Sequence, residues 1–383
     1  SSTAAVGGAG AQKIAVAGGV SVTETNNVVG AFIQNKSDIV VGDELLVQAW
    51  DKTTAVNVAG GLSFSAKGAL GASVGVNLQE NTVTANIDSS DVAAGSIGVV
   101  INALAESAMV SVAVGGVGAG KLAIGGSVSI NDVKNTVKSS VTNALNWEEN
   151  NLISSGNILI SASDHSTMAV VSGVVAAGIA TGGFGASVST TVVNNTIDAF
   201  VSGANVSSTN GSVDITSGFF PNDKSIDLAD FGLASLTTDY DIDFSSQIIS
   251  VTLAGAGGQS FGIGGAISLN WLKNKVAAYI DEGANVNAKT EINVQAKDEA
   301  TILSVALGVA GSVAGGAGGA AVSINYIGGN DFDLSPYLTS EFLSSELFGL
   351  DTLVPDRSYV RAYIDSATVD AGGDVSVLAH GAS

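Results

Sequence analysis

The chain has 383 residues, of which 46% are hydrophobic, 49 are glycine and only 13% are charged. Fourteen basic against 35 acidic residues give a net charge of -21, which argues against a nucleic-acid backbone or an anionic membrane surface as the main partner. The absence of cysteine excludes disulfides, thiol catalysis and cysteine-ligated metals, and two histidines leave little for a zinc site.

A pattern of apolar, small and apolar residues at alternate positions recurs six times along the chain. Successive copies follow at intervals of 54, 54, 60, 79 and 84, so the basic interval of 54 is lengthened by additions in the later units. Alternation with period two is typical of a β-strand with one buried face. The copies are Val29/Ala31/Ile33, Val83/Ala85/Ile87, Val137/Ser139/Val141, Ile197/Ala199/Val201, Val276/Ala278/Ile280 and Val360/Ala362/Ile364.

An asparagine stands two residues before each of the first five copies, and the sixth copy lacks it. If the units stack, these residues form a ladder at a corner of the coil, where side-chain amides hydrogen-bond along the stack. An equally good interpretation is that each is a turn residue tolerated by the corner backbone. The five are Asn27, Asn81, Asn135, Asn195 and Asn274.

The rest of each unit is rich in glycine, alanine, serine and valine, as in residues 109–130 and 302–324. Odd and even positions alike are apolar or small there, which predicts two further strands per unit, buried on both faces. Together the patterns predict an all-β fold, a parallel β-helix or β-solenoid in one domain. Its six units are residues 1–55, 56–108, 109–167, 168–247, 248–301 and 302–383, with inserted loop subdomains at about 217–247 and 329–357.

Four strands per unit fit either one wide coil or two coils of half that length. The strands of glycine and alanine have too little side-chain volume to fill a wide core, so we expect two coils per unit. Layers about 4.8 Å apart then give a rise of roughly 58 Å for six units, against roughly 29 Å for one coil per unit. In the two-coil arrangement the strand of Val83 does not lie directly on those of Val29 and Val137.

Two groups of residues are candidates for ligand binding. Asp239, Asp241 and Asp243 alternate with apolar residues and could ligate calcium, although an amphipathic strand with solvated acids is the preferred interpretation. An outward aromatic series, Phe32, Phe200, Tyr279 and Tyr363, is either a stacking strip for sugar rings or, as we favour, a set of rings stabilising a sheet face. No catalytic motif occurs, and the sequence predicts no catalytic residue and no cofactor, with calcium as the weaker alternative.

One repeated segment reads GGSVSINDVKNTVKSSV followed by SGNILISASDHS, and a later copy reads GGAISLNWLKNKVAAYI followed by AKTEINVQAKDEA. This segment resembles the repeats of very large bacterial surface proteins. The similarity is to fusobacterial leukotoxin-type filamentous adhesins and, more loosely, to haemagglutinin-like exoproteins. It implies export to the cell surface, a β-helical stalk and a role in adhesion.

From the resemblance and the repeat we expect a non-enzymatic structural or adhesive segment of a longer extracellular protein. Its expected partners are neighbouring repeats of the same or identical chains and a surface glycan or cell-surface receptor. We expect neither nucleic-acid binding nor membrane insertion. The alternatives are a self-assembling filament or sheath subunit and a polysaccharide-active enzyme on a β-helix.

Overall fold

The structure is a computed structural model that describes residues 1–143, 152–220, 246–328 and 358–382. Every regular element in these ranges is a β-strand, and all strand pairs are parallel. The predicted all-β solenoid is therefore confirmed. Of the two predicted insertions, residues 221–245 and 329–357 lie outside the described residues, whereas residues 217–219 continue a strand.

The strands of the described residues form three sheets. Sheet A contains β1 (Ser2–Ala11), β5 (Glu44–Ser65), β8 (Gly98–Ala119), β11 (Asn157–Asp164), β12 (Thr167–Gly178), β15 (Val213–Phe219), β16 (Ile248–Gly258), β19 (Ile292–Glu299), β20 (Ile302–Ser312) and β24 (Val375–Ala382). Sheet B contains β2 (Ile14–Thr25), β3 (Val28–Ile33), β6 (Gly68–Asp88), β9 (Leu122–Thr142), β13 (Gly182–Ser202), β17 (Phe261–Asp281), β21 (Gly316–Ile327) and β22 (Tyr359–Ile364). Sheet C contains the short strands β4 (Asp38–Val40), β7 (Asp91–Ala94), β10 (Leu152–Ser154), β14 (Asn205–Ser208), β18 (Asn285–Ala288) and β23 (Thr368–Ala371).

Each unit forms one wide coil. The chain runs out along sheet A, turns, returns along sheet B, and passes through sheet C to the next coil. Val83 pairs with Val29 on one side and with Val137 on the other, so equivalent residues of successive units are direct neighbours in the stack. The prediction of two coils per unit is therefore wrong.

The coil has two parts, a base and an arm. The base is a triangle formed by sheet C, the first halves of the long sheet A strands and the second halves of the sheet B strands. Its core contains the alternating apolar residues found in the sequence, and Val83, Ala85, Ile101 and Leu152 are completely buried there. The predicted interior positions of the triplets are thus observed in the coils between the first and the last.

The arm is formed by the remaining halves of sheets A and B, which lie directly on each other. A side-chain carbon added at Gly61 of sheet A would lie 2.5 Å from the carbonyl oxygen of Ala72 in sheet B. A side-chain carbon at Gly185 would lie 2.6 Å from the carbonyl oxygen of Gly255. Small residues therefore let the two sheets close on each other, and no wide core has to be filled. This is the physical reason why one coil per unit is possible.

The predicted unit boundaries fall where the base passes into the arm along sheet A. In the first coils the strands β5 and β8 run through this point without a break. In later coils the same point separates two strands, such as β11 from β12 and β19 from β20. The first long insertion also enters here, between β15 and β16.

Candidate interaction surfaces

The inner faces of the arm carry mostly small or short polar side chains. Serine hydroxyls form chains across the two sheets, with Ser172 Oγ lying 3.0 Å from Ser127 Oγ and 2.9 Å from Ser187 Oγ. In later coils, Ser268 Oγ lies 2.9 Å from the hydroxyls of both Ser250 and Ser304. Hydroxyls of this size can be both buried and hydrogen-bonded while the sheets remain in close contact.

The outer faces of the arm are apolar, and toward the tip they are exposed. Val16 and Val20 of sheet B are 63% and 65% exposed, and Val175 and Leu307 of sheet A are 63% and 51% exposed. The prediction that these strands are buried on both faces holds next to the base, where residues 167–172 of β12 and 248–252 of β16 are all buried. It is wrong toward the tip of the arm, where within the described residues only the inner faces meet another sheet. The polarity is the reverse of an ordinary solvated sheet, which is apolar inside and polar outside. Exposed apolar patches of this extent indicate an interaction surface.

Lysines mark the tip of the arm in the first three coils. Lys13, Lys67 and Lys121 recur at the basic interval of the repeat and lie on exposed turns. They are stacked, because Gly68 N donates to Lys13 O at 3.0 Å and Leu122 N donates to Lys67 O at 3.1 Å. The tip therefore carries a short basic row on a protein of strongly negative net charge.

The five asparagines form a polar layer where the arm joins the base, and all of them except Asn27 are buried. Asn81 Oδ1 accepts the backbone N–H of Asn27 at 3.1 Å, and Asn195 Oδ1 accepts that of Asn135 at 2.9 Å. The asparagines of β6, β9, β13 and β17 lie inside continuous strands rather than at a corner of the coil. Their side chains also cross to sheet A, where Asn81 Nδ2 donates to Asp51 Oδ2 at 2.8 Å.

Buried aspartates of sheet A face the asparagines of sheet B. They occupy equivalent positions in every second coil of the stack. Asp51, Asp164 and Asp298 are 5%, 0% and 9% exposed, and each accepts a hydrogen bond from an asparagine side chain. Burial raises the pKa of the Asp164 carboxyl, and it raises the pKa of Asp298 to about 6 although Asn274 donates to it.

These carboxylates lie two layers apart, or about 10 Å, close to the separation found in inverting glycosidases. However, they are enclosed between the sheets, and the cavity beside this layer, lined by Ser166, Met109 and Phe219, has a volume of about 10 Å³. A cavity of that size holds at most one water molecule. A sugar ring does not fit in a cavity of this size.

The predicted aromatic series is a stack on the outer face of sheet B. The rings of Phe200 and Tyr279 are 4.7 Å apart with planes 2° from parallel, and those of Tyr279 and Tyr363 are 4.9 Å apart and 1° from parallel. Both faces of the Tyr279 ring are therefore covered by other rings. Phe32 stands apart from this stack, separated from it by the coils that carry Asn86 and Ser140. The geometry disfavours a strip of free ring faces for sugars and favours rings that stabilise the sheet.

The remaining predicted residues lie elsewhere. Asp239, Asp241 and Asp243 are outside the described residues. Within the part of the chain that the structure describes, no group of three or more histidine, aspartate or glutamate side chains is placed to hold a metal ion. Sequence reasoning missed the buried aspartate column, the exposed apolar arm and the lysine row; of these, the row could have been found from its regular spacing.

Comparisons with known proteins gave no match to a family model, a curated protein or a solved structure. Among the described residues, no helix has the length and apolar character needed to cross a membrane.

Proposed function

We propose that this chain is a structural and adhesive segment of a large bacterial extracellular protein. The observation that carries the proposal is the combination of an uninterrupted stack of coils with an arm whose two outer faces are apolar and, toward the tip, exposed. The stack supplies a rigid support, because every coil is paired along both long sheets with its neighbours. The arm supplies the contact surface, which we assign to a receptor on another cell surface.

A receptor protein is a better partner for this surface than a glycan. Glycan binding by stacking needs a row of free aromatic faces, whereas both faces of the Tyr279 ring are covered by other rings. The outer arm instead offers aliphatic side chains and the exposed ring of Phe64. Apolar and aromatic groups of this kind are those that dominate protein–protein interfaces.

An adhesion assay with the purified chain on beads tests the proposal. The beads are expected to adhere to target cells, and a variant with Leu62→Thr and Phe64→Thr on the arm is expected to lose most of this adhesion. The matched control carries Val40→Thr and Leu46→Thr, which change exposed apolar residues of the base. No adhesion by the wild-type chain, or equal loss in both variants, would contradict the proposal.

The rival function, a polysaccharide-active enzyme, is tested separately. Acidic and neutral polysaccharides are incubated with the chain, and the release of shorter fragments is measured. We expect none. Fragment release that disappears on a single substitution of an exposed carboxylate would replace our proposal with an enzymatic one.

A further inference from the structure

We propose that the tip of the arm binds an acidic segment of the receptor protein. The carboxylates of this segment pair with the lysine row, Lys13, Lys67 and Lys121, and one of its large apolar side chains enters a depression beside the row. This inference rests on the proposed function, because it specifies the chemistry of the receptor that the arm contacts.

The arm differs in charge from the rest of the chain. The chain has 14 basic and 35 acidic residues, but the segments that build the arm contain the three lysines of the row and no other charged residue. These segments are residues 2–23, 56–79, 109–131, 168–193, 249–272 and 303–327. The arm is therefore cationic, although the whole chain carries a net charge of -21.

The nearest acidic residues along these strands are too far away to neutralise the row. Glu24 of β2 and Asp132 of β9 lie eleven residues from Lys13 and Lys121, which corresponds to about 36 Å. That distance is several times the screening length of about 8 Å at physiological ionic strength. Among the described residues, no carboxylate forms an ion pair with a lysine of the row. An approaching acidic segment thus meets positive charge at the tip.

The spacing of the row suits the carboxylates of a polypeptide. Successive lysines lie one layer, about 4.8 Å, apart along the stack. Acidic side chains one turn apart in a helix, or two residues apart in a strand, are separated by about 5–7 Å. The flexible lysine side chains can adjust to that difference. Such carboxylates would also relieve the repulsion among the three ammonium groups.

An open apolar depression adjoins the row on the outer face of sheet A. Its volume is about 520 Å³, within the range of ligand sites. Phe64 and Ile179, which are 59% and 77% exposed, line it together with Gly118 and Ala177. A side-chain carbon added at Gly118 would lie 2.8 Å from the Phe64 ring, so the glycine makes room for the ring on this face.

The depression reaches the turns that carry the lysines. Ala66 and Gly120 line it, and they directly precede Lys67 and Lys121 in the chain. An apolar pocket beside a charged rim is the arrangement found in protein–protein interfaces, where a large side chain enters the pocket. The two features therefore form one surface, which fits a segment that is both acidic and apolar.

An acidic protein segment fits this surface better than other anionic partners do. A sulfated glycan offers the charge but no apolar side chain for the depression. An acidic bilayer would have to receive the turns of the tip, where Gln12, Thr181 and Gln259 are exposed and lipid cannot replace their hydrogen bonds to water. A protein segment supplies both chemical groups and leaves these turns in water.

Fluorescence anisotropy with a labelled peptide tests the lysine row. The peptide has one central phenylalanine with four glutamates on each side, and we expect it to bind the wild-type chain less tightly as sodium chloride increases. Replacing all three lysines of the row by glutamine should weaken binding about tenfold, whereas replacing them by arginine should preserve it. The matched control removes the same charge from exposed lysines of the base, with Lys36→Gln, Lys134→Gln and Lys289→Gln, and should bind like wild type.

A second peptide, with serine in place of the central phenylalanine, tests the depression. Phe64→Thr should weaken binding of the phenylalanine peptide but leave binding of the serine peptide unchanged, because only the first peptide fills the depression. Phe184→Thr changes an exposed phenylalanine on sheet B and should affect neither peptide. Circular dichroism of each variant checks that the β-structure is retained.

Bead adhesion separates this inference from the adhesive function. Wild-type beads that adhere, with equal adhesion by the two lysine-to-glutamine variants, would refute the acidic partner and leave the adhesive role intact. No adhesion by wild-type beads, together with the expected pattern of peptide binding, would refute the adhesive role and support recognition of acidic segments. No peptide binding by the wild-type chain, equal loss in both lysine variants, or row-dependent binding of heparin or phosphatidylserine vesicles without peptide binding would overturn the inference.

Discussion

Two neighbouring glycines in β17 allow a sharp test of how the arm is packed. A side-chain carbon added at Gly264 would lie 3.0 Å from the carbonyl oxygen of Ala254 and closer still to that of Val309. A side-chain carbon at Gly265, on the opposite face, would have no atom within 4 Å. Neither glycine has a positive φ, so alanine is tolerated by the backbone at both positions.

Gly264→Ala should destabilise the chain by about 1–3 kcal/mol, because the two sheets of the arm must separate to admit a methyl group. Gly265→Ala should stabilise it by about 0.4–1 kcal/mol, because alanine restricts the unfolded chain and costs nothing in the folded one. The same substitution at adjacent residues is thus expected to change the free energy of unfolding in opposite directions.

Thermal unfolding followed by circular dichroism measures the difference. An unfolding entropy of about 2.1 cal/mol/K per residue gives about 0.8 kcal/mol/K for the whole chain, so Gly264→Ala should lower Tm by about 1–4 °C. Gly265→Ala should raise it by about 1 °C or less. Equal effects of the two substitutions would show that the sheets of the arm are not in close contact, and the account of the wide coil would fail.

Three further predictions concern the base and the polar layer. Ala85→Asp puts an unpaired charge into the core and should cost several kcal/mol in chemical unfolding, whereas Thr84→Asp on the outer face should change stability by less than about 0.5 kcal/mol. The raised pKa of Asp298 means that its folded carboxyl binds a proton more tightly than the unfolded one, so this residue costs stability as pH rises from about 4 to about 6. Asp298→Asn should therefore be more stable than wild type by about 3 kcal/mol at pH 7 and equal to it below pH 4; equal stability at both pH values would refute the shift. Asn135→Ala removes a donor to Asp164 and should cost about 2–3 kcal/mol in guanidinium unfolding, and a loss below 0.5 kcal/mol would show that the hydrogen bond is unimportant.

The base could be predicted from the sequence because its signal is local and simple. Val83, Ala85 and Ile87 alternate with polar or charged neighbours, and this alternation reports a strand with one buried face. The fixed interval at which the first copies recur then reports that such strands are stacked. The fold class, the strands and the buried face of the base all follow from these two observations.

The arm could not be predicted in the same way. Its inner residues, such as Gly61 and Ser172, and its outer residues, such as Val175, are all small or apolar, so the pattern contains no contrast between faces. The number of coils per unit depends on how closely two sheets approach, and that distance is set by glycine positions across the arm rather than along one strand. An argument from side-chain volume that assumes a filled core therefore predicts the wrong number of coils per unit.

The buried aspartates were missed for a related reason. Asp51, Asp164 and Asp298 lie in alternate coils, so their spacing in the sequence is irregular once the additions to the basic unit are included. Only the stacking of sheet A shows that they share one column. Their partners, the asparagines of sheet B, were visible as a series, but nothing in the sequence indicates that the two columns face each other.

The central claim is that each repeat unit forms one coil, and a distance between two spin labels tests it most directly. Thr84 and Arg361 lie in one outer column of sheet B, four layers apart. Labels attached to cysteines at these positions, measured by pulsed dipolar spectroscopy after dilution with unlabelled chain, should give a backbone separation of about 19 Å. Two coils per unit would double the separation to about 38 Å, and a distance near that value would contradict the one-coil structure.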